Sequence, residues 1–203
     1  VGRQALLRVL ERARALGFLG PGPADEQLEH AEAFLPRIEE LEVPAGSVAI
    51  DLGSGGGVPG LVLAAARPDL RWQLVDAMAK RTAVLDQAVA ELGLEAEVVT
   101  SRAEALARAA RGTAALVVAR GFGPPAVLAE CAAPLLETGG HLVVSEPPGG
   151  DPARWPSGPV AELGLLLQHV HLGPPAFAVL RQVHSAPLDV PRRDGMPAKR
   201  PRW

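Results

Sequence analysis

Apolar positions along the chain keep two different periods, and the change from one to the other falls near residue 46. Before it, Leu6, Leu7, Leu10, Ala13 and Leu16 recur at helical spacing with arginines on the other face, and Gly17 stands where a helix ends. After GPGP at 20–23, the run DEQLEHAEAFLPRIEEL is helical again, with Pro36 bending or dividing it. From residue 47, short apolar runs alternate with helical ones. SVAIDLG, RWQLVDA, EAEVVTS, AALVVAR and HLVVSEP read as strands; VPGLVLAAA, AKRTAVLDQAVAELG, RAEALARAA and PPAVLAECAAPLLETGG read as the helices between them. Strands joined by helical crossovers predict a doubly wound, mostly parallel α/β sheet covered on both faces. Beyond Pro148 there is room for only a short helix. LLLQHVHL and AFAVLRQVH then read as an antiparallel pair about Gly173-Pro174-Pro175, closing a seven-stranded sheet. The expected organisation is a helical preface over 1–45 packed on the same domain, a main domain over 46–189, and a tail over 190–203.

Composition narrows the class. The chain has 203 residues, 48% of them hydrophobic, enough for one well-buried core. No uninterrupted apolar stretch approaches the ~20 residues needed to cross a bilayer. VGRQALLRVLERARALG intersperses charges among its leucines, unlike the core of a secretory leader, so a cytoplasmic monomer without membrane contact is the expectation. Cys131 is the single cysteine and no Cys/His cluster has ligand spacing, so no metal is expected. The net charge of −3 conceals an asymmetry. Arg192, Arg193, Lys199, Arg200 and Arg202 face Asp194 alone, a surplus of four that leaves the rest of the chain at −7. Such a tail is either a solvated end or a phosphate contact.

The candidate chemistry begins at DLGSGGGVPG, residues 51–60, a glycine turn leading from the first strand into a helix. Gly55, Gly57 and Gly60 match GxGxxG, a weak signal shared by several nucleotide-binding families. Three features sharpen it. Asp51, just before the turn, would repel a pyrophosphate and attract an ammonium; no lysine follows the glycines as in a P-loop; and Asp76 ends the second strand, where an acid accepts ribose hydroxyls. The Asp76 feature suits NAD and S-adenosylmethionine alike, and the Asp51 feature favours the latter. Glu104, in the SRAEAL loop after the third strand, reads equally as an adenine contact and as a first-turn acid complementing a helix dipole.

Absences bound the reaction. The chain has no tyrosine, which removes a dehydrogenase that uses one as its base. AARGFGPP lacks the Asn-Pro-Pro-aromatic motif of exocyclic-amine transfer, and Cys131 in LAECAAP lacks the preceding proline of a cytosine-C5 nucleophile. Transfer to guanine N7 fits what remains, because that nitrogen presents a lone pair and has no proton to lose; alignment would then supply most of the catalysis.

These motifs together resemble the RsmG (GidB) family of bacterial 16S ribosomal RNA guanine-N7 methyltransferases. DLGSGGGVPGLVLAAARPDL is similar to its first motif, including Pro59 and Arg67-Pro68-Asp69; LVDAMAKRTAVLDQAVAELGL to its second; SRAEAL to its adenine loop; AARGFG to its Ser-Arg-Ala segment; and VPRRDGMPAKRPRW to its closing signature. The resemblance implies a Rossmann-like S-adenosylmethionine-dependent methyltransferase fold. It implies cofactor contacts from Gly53, Ser54, Gly55, Asp76, Ala103, Glu104 and Arg120, to which the reading of the turn itself adds Asp51 and Gly57, with Arg120 also a candidate for positioning the reacting groups. It makes Arg192, Arg193, Lys199 and Arg200 phosphate contacts on 16S ribosomal RNA or the small ribosomal subunit, while Lys80 and Arg81 stand at the cleft rim. Departures exist: the preface is short, His30 lacks the family's following Asp-Ser, and Ser145-Glu146 stands where the family commonly has Leu-Lys-Gly. A methyltransferase acting on a small molecule or another RNA, and a non-catalytic RNA-binding protein on the same fold, are the alternatives.

Overall fold

The computed structural model describes residues 1–203. The helical period before residue 46 becomes α1 (Arg3–Ala15), α2 (Ala24–Glu32) and α3 (Leu35–Glu39). Gly17, at φ 73°, ends α1 as expected, and Pro36 divides the second run by taking a first-turn position in α3, where its missing N–H removes no bond. The alternating region supplies β1 (Val48–Leu52), α4 (Gly60–Ala66), β2 (Arg71–Asp76), α5 (Ala79–Leu92), β3 (Ala96–Thr100), α6 (Ala103–Ala109), β4 (Ala114–Ala119), α7 (Pro125–Ala132) and β5 (Leu136–Glu146). It closes with α8 (Ser157–Glu162), β6 (Leu165–His171), β7 (Ala176–Gln182) and α9 (Met196–Lys199).

The seven strands run in the order β3-β2-β1-β4-β5-β7-β6. The first five are parallel, and β7 is antiparallel to both β5 and β6. Strand alternation divides the core. Ile50 and Leu52 point to the face covered by α6, α7 and α8, while Ala49 and Asp51 point to the face covered by the preface helices, α4 and α5. The preface buries Leu6, Leu10, Leu28, Phe34 and Ile38 on that second face, each side chain contributing about 1.5–3 kcal/mol.

One element departs from the sequence pattern. PLLETGG is expected to finish the helix after strand four, yet α7 stops at Ala132 and β5 begins at Leu136. Pro134 cannot extend the helical ladder, and its carbonyl accepts the Gly112 N–H at 2.9 Å instead. The β4–β5 register then shifts between Ala114 and Leu116, and a side chain at Gly140 would stand 2.9 Å from the Ala114 carbonyl oxygen. Leu136 therefore opens an interior strand, paired with Ala114, rather than continuing a helix face.

The tail also differs from a free arm. Val190, Pro191 and Pro197 are buried, and Trp203 Nε1 donates to the Arg154 carbonyl at 3.0 Å. Arg111 donates to the carbonyls of Ala186 (2.7 Å), Pro187 (3.0 Å) and Val190. Residues 190–203 thus form a strap across α6 and α7.

Candidate functional site

The parallel strands end at one rim, and the switch between β1 and β4, where the strand order reverses, opens a cleft there. The glycine turn forms its floor. Gly53 and Gly55 take φ of 85° and 54°, and a side chain at Gly53 would stand 2.9 Å from the Phe122 ring. Two adjoining cavities of about 320 and 260 Å³ share Gly53, Arg81 and Gly121. The larger is lined by Asp76, Ala103 and Glu104 with Phe122; the smaller by Ser54, Gly55, Gln27 and Arg120.

Asp76 ties the two together. Its Oδ2 accepts the Gly55 N–H at 3.0 Å and its Oδ1 the Met78 N–H at 2.8 Å, with Arg81 at 3.4 Å. The Arg81 guanidinium lies 5.9 Å from the centre of the Phe18 ring. Glu104 Oε1 accepts the Gly195 N–H at 2.8 Å, so this acid clasps the strap to the start of α6 while facing the cavity. Arg120 donates to Gln27 Oε1 at 2.5 Å, and burial draws its pKa down.

Asp51 and Gly57 line neither cavity. Asp51 is fully buried beneath the turn, its Oδ2 accepting the Gly60 N–H at 2.9 Å while Oδ1 has no partner. Burial raises its pKa from 3.8 to about 7, against the pull of its hydrogen bonds. The side chain holds the entry into α4 rather than projecting into the cleft. Gly57 shapes the same turn: its N–H donates to the Ser54 carbonyl at 2.7 Å, and a side chain there would collide with Leu61.

The basic tail separates into two groups. Arg192 donates through Nε (2.8 Å) and a terminal nitrogen (2.6 Å) to Glu130, which is fully buried in α7, and Arg202 lies 3.4 Å from the same carboxylate. Burial alone would raise the Glu130 pKa; the Arg192 hydrogen bonds overcome it and lower it. Arg193, Lys199 and Arg200 are exposed, and none of their side chains holds a protein partner. Asp194 pairs with Arg108.

Some cleft residues left no mark in the sequence. Phe18 and Leu19, after α1, close over the turn, so that a side chain at Gly56 would meet Leu19 at 2.6 Å. Gln27 reaches Arg120 from 93 residues away. The GPGP turn announces that α1 stops, but nothing local tells that the segment beside it covers a strand end. His30, half-buried, shares a hydrogen with Ser145 Oγ at 2.7 Å, and its pKa falls to about 4 through burial and the nearby Arg120.

Residues 29–146 match the model of the family described as GidB, rRNA small subunit methyltransferase G. The chain belongs to this family. Its members called ribosomal RNA small subunit methyltransferase G include one from Rubrobacter xylanophilus, 36% identical over 97% of this chain and 80% of that protein. One from Moorella thermoacetica is 36% identical over 79% of this chain and 72% of its own length. The chain spans about half the length of others, such as one from Salinispora tropica, 44% identical over 63% of this chain and 54% of that protein. The fold is the Rossmann-like one of S-adenosylmethionine-dependent methyltransferases. A methyltransferase of that kind from Aquifex aeolicus has a TM-score of 0.61 at 15% identity, covering 86% of this chain and 98% of its own. An MtNAS mutant solved in complex with S-adenosylmethionine also has a TM-score of 0.61, at 12% identity, covering 88% of this chain and 73% of its own. In this rRNA small subunit methyltransferase G family member the cleft, the glycine turn and Asp76 occupy the rim where such a fold receives its ligand.

Proposed function

We propose that the protein transfers the methyl group of S-adenosylmethionine to N7 of a guanine in 16S ribosomal RNA, acting in the cytoplasm as a monomer. One observation carries the cofactor half: Asp76, at the end of β2, faces the larger cavity while binding the amide of Gly55 in the glycine turn. The donor set suits an adenosyl group joined to an amino acid. Asp76 retains an acceptor position on Oδ1 for a ribose hydroxyl, Ala103 and Glu104 border the space for an adenine, and Gly53, Ser54, Gly55 and Arg120 surround the smaller cavity for the amino-acid end. Asp51 and Gly57 act from below, by holding the turn. When bound, the cofactor supplies an electrophilic methyl group on a positively charged sulfur.

The chain's own groups then bind and align. His30 at about 4 is a poor base at neutral pH, and burial pushes the Cys131 thiol far above its ordinary value, so neither suits removal of a proton or covalent attack. A purine N7 needs neither service. Arg120, charged at the junction of cleft and substrate side, orients the reacting base, and Arg193, Lys199 and Arg200 hold backbone phosphate. Arg192 serves instead as the anchor of the strap.

Calorimetry and transfer of labelled methyl groups test this reading. Asp76→Ala is expected to weaken S-adenosylmethionine binding about 10- to 100-fold, as befits hydrogen bonds to a charged group. Small subunits from cells lacking the modification should accept label at a guanine N7. Cofactor binding without transfer to any ribosomal RNA would leave a methyltransferase of another substrate.

A further inference from the structure

Beside the cofactor cleft lies a separate cavity of about 290 Å³, at the small end of the range for ligand pockets and suited to a single base. It adjoins the cleft through Arg120, Gly121 and Phe122, which follow β4, and Glu146 lines it from the end of β5, one strand further from the switch between β1 and β4. The Glu146 carboxylate is almost wholly buried, which requires partners. Trp155 Nε1 donates to Oε1 at 2.9 Å, and Arg154 pairs with Oε2. A carboxylate has about four acceptor positions, so two remain after these contacts. The Arg154 pairing also offsets a negative charge that would otherwise repel a polyanion.

Resting on the proposed transfer to guanine, we infer that Glu146 is the specificity-determining residue, accepting hydrogen bonds from N1–H and the N2 amine of the target base. The chemistry of guanine imposes the arrangement. N7 and the N1/N2 edge lie on opposite sides of the purine, so a base whose N7 faces the cofactor cleft turns its two adjacent donors toward the opposite wall. A carboxylate is the side chain that matches two parallel donors. Adenine offers an acceptor at N1 and no amine at C2, which leaves a buried carboxylate unmatched and excludes it. Arg120, on the cleft side, stands where a donor can meet O6, and Phe122 offers a ring face for stacking. Serine and glutamate in place of the family's Leu-Lys-Gly thus become a recognition device for a base instead of a missing phosphate contact.

The test is an internal competition. 16S transcripts are made with a minor fraction of guanosine replaced by inosine, which lacks only the N2 amine, assembled into small subunits, then methylated, digested to nucleosides and analysed by mass spectrometry for 7-methylinosine against 7-methylguanosine. Wild-type protein should disfavour inosine at the target by about tenfold or more, the effect of one hydrogen bond to a charged acceptor. In Glu146→Gln the amide presents a single acceptor, so the ratio should return to within about twofold of the transcript's composition, with overall transfer reduced. The glutamine still offers an oxygen to Trp155, and unchanged cofactor affinity shows that the variant is folded. Equal methylation of both nucleosides by wild-type protein, or an unaltered ratio in Glu146→Gln, overturns the inference and leaves Glu146 as an ion pair of the fold. Absence of transfer to every transcript by protein that binds cofactor removes the guanine reading with it.

Discussion

Replacing Asp51 with asparagine isolates the energetic consequence of a carboxylate sealed under the glycine turn. Its pKa is 3.8 in an unfolded chain and about 7 in the folded one, because burial disfavours the charge more than the Gly60 N–H stabilises it. Between those values the folded state holds a proton that the unfolded state has lost. Stability contributed by the protonated group is therefore complete below about pH 4, declines as pH rises toward 7, and levels off above it. At 1.36 kcal/mol per pH unit the gap amounts to as much as about 4 kcal/mol. Asparagine keeps an oxygen for Gly60 and carries no charge. Its amide nitrogen would occupy the place of the partnerless Oδ1, a loss of about 1–3 kcal/mol that does not vary with pH. Urea unfolding of both proteins, followed by circular dichroism from about pH 4 to pH 8, gives the difference in unfolding free energy at each pH. The wild-type protein should lose ground to Asp51→Asn steadily up to pH 7. Parallel curves would refute the reasoning, since they would mean that the folded carboxylate titrates as an unfolded one does.

Two further outcomes follow from the strap. Glu130→Ala leaves Arg192 and Arg202 without their shared buried partner, and a loss of about 3–5 kcal/mol is expected together with tryptic cleavage after Arg192 or Arg193, read by thermal melting and mass spectrometry. Unchanged melting would show that the strap is held without Glu130, by its contacts to Arg111, Glu104, Arg108 and the Arg154 carbonyl. Replacing Arg193, Lys199 and Arg200 together with alanine should weaken RNA binding and reduce the slope of log affinity against log salt by about 2, with S-adenosylmethionine affinity unaltered. An unchanged salt slope would assign those charges to solvent.

Much of the fold was legible because it is periodic. The five parallel strands, the closing antiparallel pair and the end of α1 at Gly17 follow from spacing and from single residues whose backbone preferences are strong. The stretch at 133–140 departs from the helical expectation for a physical reason: Leu135 and Leu136 fit a helix face and a strand equally, and the pairing of Leu136 with Ala114 decides between them. Asp76 stands where its place at a strand end foretold, since parallel crossovers bring all such ends to one rim. Asp51 occupies the neighbouring strand end, yet alternation turns it under α4, and only the packing of Gly60 above it shows that the carboxylate is sealed.

Sequence alone determined the layered α/β architecture, the glycine turn, the acid that follows it and the basic character of the tail. Each depends on local period or on the chemistry of one residue. The tertiary structure decided which charges remain free. Glu130 neutralises Arg192 from 62 positions away and Gln27 holds Arg120 from 93, while Arg154 balances the buried Glu146 beside the cleft. Such partners are joined by crossovers and sheet order, and the desolvation that makes their charges matter arises only when the elements pack.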